Sequence, residues 1–232
     1  MKVFQFFFLF LAITPIQSLF AYDLEGKVQI QPPYPQAIEL KVEEKHAADC
    51  GPVKLSPKLR VSPEGLVANV VIKLEGNFPS AKFSPSTQNY LLNQIHCEFS
   101  PHVLLIPEKS TLSILNSEAV LHNVRAFDEQ TKMLFNDAMP VKGQILRKRF
   151  EKPGRVIIRC GIHPWMHAIT IVQEHPYYAL TNESGYFQMK DIPDGNYNLS
   201  IWHEVLGEIK TQIGPQSRFL TLTYPPFSNG AS

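Results

Sequence analysis

A short loop at residues 160–167 contains four side chains that can donate to soft or borderline metal ions. Cys160 supplies a thiol, His163 and His167 supply imidazoles, and Met166 supplies a thioether. A thiolate and two imidazoles in one plane, with a long axial thioether bond, form a trigonal site that suits copper. The spacing of Cys160, His163 and Met166 provides three of these four donors, so the site requires one more histidine.

His122 is the histidine that completes the set. It lies in the segment 116–124, where an apolar strand runs into a short polar turn and a second strand follows. The alternative for the Cys160 loop alone is a buried, small, apolar cysteine, but that alternative does not account for His122 and Met166 at this spacing. Zinc is less suitable than copper because one of the donors is a thioether.

The two motifs resemble those of the cupredoxins, and within that family they are most similar to the amicyanin and plastocyanin type. The loop from Cys160 reads C-x-x-H-P-W-M, where amicyanin-like loops have Phe in place of Trp, and segment 116–124 carries the first ligand. The turn and strand at 150–160 and the strand at 99–107 are also similar. The resemblance covers residues 65–174 and implies a Greek-key β-sandwich. The chain departs from the family in an insertion at 76–93 and in having His167.

The resemblance also implies a role for each residue of the motifs. One type 1 copper ion would be bound by four side chains, His122, Cys160, His163 and Met166. Asn123 would be the amide beside the first ligand that ties the two ligand loops together, and His167 would lie beside the ligands. Pro164 and Trp165 would form an apolar docking surface for a redox protein partner of the cytochrome or dehydrogenase type. For Trp165 the alternative is packing in the core.

Composition and charge narrow the class of protein. The chain has 232 residues, 19 prolines and a formal net charge of +1. This length allows one large or two modest β domains. The balanced charge without a basic run argues against binding of nucleic acid. Prolines between short apolar segments predict an all-β protein.

Residues 1–21 have the pattern of a signal peptide. Lys2 precedes an apolar run rich in Phe and Leu, and small residues at Ser18 and Ala21 offer cleavage positions. The apolar run is short for a transmembrane span, although an uncleaved anchor is the alternative. We therefore expect an exported protein, periplasmic or secreted, that does not span the membrane after cleavage.

The predicted export indicates which of the three cysteines form a disulfide. In an oxidising compartment two cysteines normally pair, and Cys160 is the one assigned to the metal. Cys50 and Cys97 are then predicted to form a disulfide. The bridge would close a loop of roughly 48 residues, for which the chain-entropy model gives about 4 kcal/mol. The alternative is two buried, unpaired thiols.

Residues 175–226 form a different β segment. The pattern T-x-x-x-G-x-F from Thr181, followed by P-x-G-x-Y-x-L from Pro193, resembles the carboxypeptidase-regulatory-like, transthyretin-like β-sandwich. Such an immunoglobulin-like module needs more strands than this segment contains. Strands near Val28 and Leu40, in the N-terminal β segment 22–64, are expected to complete it.

Local sequence patterns predict the structure of two further segments and the roles of three histidines. Residues 66–72 form an apolar run that predicts the first strand of the cupredoxin domain, and residues 43–49 predict a solvated turn. His46 within that turn is expected on the surface. His102 and His203 are expected to be structural histidines rather than ligands.

The leading functional hypothesis is an exported blue-copper protein that acts as a one-electron carrier or redox subunit for a protein partner. A second hypothesis is a copper-binding or surface interaction protein, with a structural metal and a β-sandwich that binds protein or glycan. An enzyme is a third possibility, but it would need an open copper position, and Met166 in the ligand set leaves little support for one.

Overall fold

The computed structural model describes residues 21–79, 81–83 and 89–227, and their regular secondary structure is almost entirely β-strand. The predicted all-β class is confirmed. Residues 1–20 of the predicted signal peptide lie outside the described residues, and Ala21 begins the first strand. Within the described ranges, every helix is too short to cross a bilayer.

Eighteen strands and one short helix are present in the described ranges. The N-terminal elements are β1 (Ala21–Ile30), β2 (Glu39–Lys41), α1 (Glu44–Cys50), β3 (Val53–Leu55) and β4 (Val71–Glu75). The central strands are β5 (Tyr90–Ile95), β6 (Glu98–Ser100), β7 (Val103–Pro107), β8 (Thr111–Asn116), β9 (His122–Phe127), β10 (Met133–Met139), β11 (Ile145–Arg149), β12 (Gly154–Cys160) and β13 (His167–Gln173). The C-terminal strands are β14 (Tyr178–Leu180), β15 (Tyr186–Pro193), β16 (Tyr197–His203), β17 (Gly207–Ile213) and β18 (Phe219–Tyr224).

Strands β5 to β13 form the first sandwich. A five-stranded sheet with the order β10-β9-β12-β13-β7 packs on a four-stranded sheet with the order β11-β8-β5-β6. Most neighbours are antiparallel, but β13 pairs with β7 and β5 pairs with β8 in parallel. The two sheets enclose one apolar core that includes Leu92, Ile114 and Ile158, all fully buried.

The alternation of side chains along β9 and β12 points the predicted ligands into this core. Successive side chains of a strand face opposite sides of the sheet. In β12, Ile158 and Cys160 are buried while Arg159 between them is exposed. In β9, His122 and Val124 are buried in the same way. The register of the two strands pairs Cys160 with Val124, so the cysteine lies close to the start of β9.

Strands from both ends of the chain form the second sandwich. One sheet has the order β15-β1-β18 and the other has the order β14-β4-β16-β17. Their shared core includes Leu24, Ile72, Leu199 and Tyr224. The first sandwich is therefore inserted between two parts of the second. Strand β1, which contains Val28, lies between β15 and β18 in this sandwich.

Two strands lie elsewhere than the sequence predicted. The apolar run expected to start the cupredoxin domain contributes β4, which pairs with β14 and β16 of the second sandwich. Ile72 and Leu74 are buried in that second core, and an apolar run by itself does not specify which core it joins. The strand near Leu40 is only three residues long and pairs with β3, while Leu40 and Val42 pack on the first core.

The predicted turn at residues 43–49 is instead the helix α1. Glu44 in its first turn suits the helix dipole. Gly51 caps the end of the helix, has φ +81° and donates its N–H to the carbonyl of Ala47. Its last residue, Cys50, forms the predicted disulfide with Cys97 and so attaches the helix to the first sandwich.

We predict that residues 175–226 do not fold alone. In the three-stranded sheet β1 lies between β15 and β18, and in the four-stranded sheet β4 lies between β14 and β16. The fragment lacks both of these central strands. Without them, β15 and β18 are no longer joined in one sheet and β14 is separated from β16 in the other. Circular dichroism on heating should detect no cooperative transition in the fragment, whereas residues 21–227 should melt cooperatively. A soluble fragment that melts cooperatively would contradict the prediction.

Candidate metal centre

Three of the predicted donors converge in the core at one end of the first sandwich. His122 begins β9, Cys160 ends β12, and His163 follows in the loop that leads to β13. The Nδ1 atoms of His122 and His163 are 3.1 Å apart. Cys160 Sγ lies 3.9 Å from Nδ1 of His122 and 3.5 Å from Nδ1 of His163. All three residues are buried.

These distances suit one metal ion. Bonds of about 2.0–2.3 Å to nitrogen and sulfur place neighbouring ligand atoms about 3–4 Å apart. Two imidazole nitrogens and a sulfur that face one another in a dry site repel through their lone pairs, unless a proton or a metal ion lies between them. The donor set fits copper because it combines a soft sulfur with two imidazoles.

Backbone hydrogen bonds within the loop hold Met166 beside Cys160. Its N–H donates to the carbonyl of His163 at 3.0 Å, and its carbonyl accepts from the N–H of Cys160 at 3.2 Å. The register of β12 and β13 pairs Arg159 with His167, so Met166 is opposite Cys160 at the next position. Opposed residues of antiparallel strands face the same side. The Met166 side chain is fully buried in the first core, consistent with the fourth donor of the predicted set.

The surroundings of Cys160 favour its thiolate. Burial alone would raise the pKa of this thiol, but hydrogen bonds from His122 and His163 and from two backbone N–H groups outweigh burial and lower the pKa to about 5. Those N–H groups belong to Asn123 and Ile162, each 3.5 Å from Sγ. Burial also opposes the charge on His122, yet Cys160 and Glu118 hold its pKa above its ordinary value. The metal-free site therefore favours a thiolate–imidazolium pair.

Asn123 connects the two ligand segments through its backbone. Its N–H points at Cys160 Sγ, and its carbonyl accepts from the N–H of Gly161 at 2.8 Å. The side-chain amide, to which the sequence assigned this role, accepts instead from Nε of Arg125 at 3.0 Å. A Cβ at Gly161 would lie 2.3 Å from that amide oxygen, so a larger residue there would displace the Asn123 side chain.

Two residues of the segment before His122 were not recognised from the sequence. Glu118 Oε1 accepts from Nε2 of His122 at 2.8 Å and from the N–H of Cys97 at 2.9 Å. This leaves the Nδ1 lone pair of His122 for a metal. Asn116 is fully buried and donates to the carbonyls of Val120 and Met139. The polar residues of segment 116–124 were the sequence feature from which these two roles could have been predicted.

Helix α1 covers the His163 side of the site. The ring centroids of His46 and His163 are 4.7 Å apart, so His46 packs over the candidate ligand rather than lying on the surface as expected. His163 is only 1% exposed. Of the two residues expected to form a docking surface, Pro164 is exposed, whereas Trp165 is buried and its indole N–H donates to the carbonyl of Cys97.

His167 lies away from this donor cluster. It follows Met166 in β13, and successive strand residues face opposite sides. Its ring is 5.1 Å from that of His102, and its Nδ1 is 3.6 Å from a carboxylate oxygen of Glu204 in the second sandwich. His102 was expected to be structural, and the structure places it in this second group. His203 is buried, and its Nδ1 accepts backbone N–H groups, as expected for a structural histidine.

Comparisons with known proteins find similarity only in solved structures. No family model and no curated protein matches the chain. A purple cupredoxin from Nitrosopumilus maritimus is 25% identical, and the match covers 37% of this chain and 100% of that one with a TM-score of 0.34. The copper-containing nitrite reductase NirK from Thermus scotoductus SA-01 is 24% identical, and the match covers 43% of this chain and 25% of that one with a TM-score of 0.32. A reduced Cu(I) amicyanin variant is 20% identical, and the match covers 44% of this chain and 98% of that one with a TM-score of 0.35.

We expect the thiol of Cys160 to titrate well below its ordinary range in the metal-free protein. Because the pKa is lowered to about 5, Cys160 should be a thiolate above that pH and should take up its proton only as the pH falls through it. The ultraviolet absorbance of the thiolate, followed against pH, measures the midpoint. The Cys160→Ser variant provides the baseline. A midpoint near the ordinary value of 9.0 would contradict the thiolate–imidazolium pair.

Glu118→Ala should destabilise the metal-free protein. The substitution leaves Nε2 of His122 and the N–H of Cys97 without an acceptor, so the free energy of unfolding should fall by about 1–3 kcal/mol. Glu118→Gln keeps an oxygen in this position and should lose less. Glu151→Ala, at an exposed ion pair with Arg149, is the control and should change the free energy by about 0.5 kcal/mol or less. Urea unfolding measures all three, and equal losses for Glu118→Ala and Glu151→Ala would argue against the buried role.

Proposed function

We propose that this chain is an exported blue-copper protein that carries single electrons for a protein partner. The observation that carries the proposal is the convergence of Cys160 Sγ with Nδ1 of His122 and of His163, at 3.1–3.9 Å from one another. Met166 lies opposite Cys160 and provides the fourth donor. A copper ion bound by these four residues would cycle between Cu(I) and Cu(II), with the thioether favouring Cu(I).

The chain's own hydrogen bonds favour electron transfer because they hold the donors in a fixed position. Glu118 fixes the ring of His122, and the N–H groups of Asn123 and Ile162 hold the thiolate of Cys160. A site whose ligands are fixed before the metal changes charge needs little rearrangement. The cover over His163 also keeps water away from the donors. Both features support electron transfer rather than catalysis at an open metal position.

A transient redox partner would dock at the metal end of the first sandwich. Pro164 follows the ligand His163 and is exposed. Leu121 precedes His122 and is 48% exposed, and Val141 in the neighbouring connection is 61% exposed. The β9–β10 register pairs His122 with Met139, which brings Leu121 close to the segment of Val141. Exposed apolar side chains near a redox site suit a small and short-lived protein contact.

The proposed location and the identity of the second sandwich have separate support. A disulfide is stable in an oxidising compartment, so the Cys50–Cys97 bridge agrees with export to the periplasm or the exterior. The signal-peptide pattern of residues 1–21 supports the same location. For the second sandwich, the motifs from Thr181 and Pro193 support a carboxypeptidase-regulatory-like module.

Copper-loaded protein should show an intense visible band from thiolate-to-copper charge transfer that bleaches reversibly with reductant. Cys160→Ser should abolish the band, because the thiolate is its origin. Met166→Gln should keep a coloured site with a lower reduction potential, because a harder axial oxygen stabilises Cu(II). Absorption spectroscopy and a redox titration measure these effects.

His167→Ala is the matched control for the loop, because it removes the neighbouring donor whose side chain faces away from Cys160. Its visible spectrum should remain that of the wild type. A wild-type protein without the charge-transfer band would overturn the electron-carrier proposal. So would a band that His167→Ala removes and Met166→Ala does not, since the ligand set would then be a different one.

A further inference from the structure

A second group of metal-type donors lies where the two sandwiches meet. His102 precedes β7 and His167 begins β13, on adjacent parallel strands of the first sandwich. Glu204 follows β16 in the second sandwich. One donor atom from each of the three residues lies within 4.8 Å of the others. The three side chains are 4%, 12% and 11% exposed, so the group is largely shielded from water.

The hydrogen bond of His102 determines which of its nitrogens faces Glu204. Its Nδ1 is 3.0 Å from the carbonyl oxygen of His167. A carbonyl can only accept, so Nδ1 carries the proton. Nε2 then presents a lone pair to a carboxylate oxygen of Glu204, with which it is in direct contact. Two lone pairs in such contact repel each other unless a second proton on the ring lies between them or one metal ion binds both atoms side by side.

His167 places a buried nitrogen near the same carboxylate. Its Nδ1 is buried and has no hydrogen-bond partner among the described residues. It lies 3.6 Å from the other oxygen of Glu204. Metal bonds of about 2.0–2.2 Å to nitrogen and oxygen would span such a gap. A single ion can therefore satisfy His102, His167 and Glu204 together, whereas one proton on His102 leaves His167 unpaired.

The group also has an open side. A cavity of about 170 Å³ reaches both His102 and His167 and is lined further by polar residues that include Arg60 and Asn69. The cavity gives an ion a path to the two histidines. Two histidines and one carboxylate form a known ligand set for zinc, and imidazole ligands also suit copper.

We propose that His102, His167 and Glu204 bind one divalent transition-metal ion, Cu²⁺ or Zn²⁺, at the junction of the two sandwiches. This site is distinct from the thiolate centre, because His167 and Met166 face opposite sides of the first sandwich's sheet. The bound ion joins the two sandwiches, since Glu204 comes from one and both histidines from the other. It therefore stabilises the folded chain when present.

Cu²⁺ is the probe, because it reports on both sites separately. Wild-type protein loaded with one equivalent and freed of excess copper should bind a second equivalent in equilibrium dialysis. The second ion should give an electron paramagnetic resonance spectrum of an ordinary nitrogen- and oxygen-bound Cu(II), without a new thiolate band. Glu204→Gln and His167→Ala should both lose this second equivalent and keep the first. Cys160→Ser should lose the visible band and keep the second spectrum.

Glu183→Gln is the matched control, because Glu183 lines the same cavity but pairs with Arg60. It should bind the second equivalent as the wild type does. Far-ultraviolet circular dichroism checks that every variant is folded. Zn²⁺ should raise the melting temperature of the Cys160→Ser variant. It should not raise that of the double variant that carries both Cys160→Ser and Glu204→Gln. The proposal is overturned if wild-type protein binds no second ion. It is equally overturned if Glu204→Gln and His167→Ala, both folded, bind it unchanged.

Discussion

The candidate metal centre depends on keeping three lone-pair donors close together in a site that contains little water. Cys160 Sγ and the Nδ1 atoms of His122 and His163 repel one another unless a cation lies between them, so the surrounding structure has to hold them in place. The inward alternation of β9 and β12 supplies the direction, and Glu118 fixes the first imidazole. The disulfide-anchored helix packs on the other imidazole through His46.

Strand β13 lies between the core of the first sandwich and the junction with the second sandwich. It is buried on both faces, because Ala168 and Val172 pack in the first core while Ile169 and Ile171 pack in the cluster between the sandwiches. A strand that is apolar on both faces cannot lie at a solvated surface. Its first residue, His167, therefore lies in the junction although it directly follows a candidate copper ligand. The two groups of donors share one strand but occupy opposite sides of it.

The candidate ligands could be predicted because their chemistry is rare and local in the sequence. Cys160, His163 and Met166 lie in one loop, and the odd number of cysteines indicated the disulfide. The position of residues 66–72 could not be predicted, because an apolar strand satisfies either core equally well. The group at His102 was also missed, since its carboxylate lies 102 positions away in sequence and is brought near only by packing of the sandwiches.

The parallel pairing of β1 with β18 gives the chain a particular mechanical property. The two strands are in register from Glu25 and Phe219 to Ile30 and Tyr224. A force that pulls residue 21 away from residue 227 would slide these strands along each other and load all bonds of the ladder at once, rather than opening them one by one. The inserted sandwich lies outside this load path. The candidate metal centre would therefore bear no tension until the β1–β18 ladder had broken.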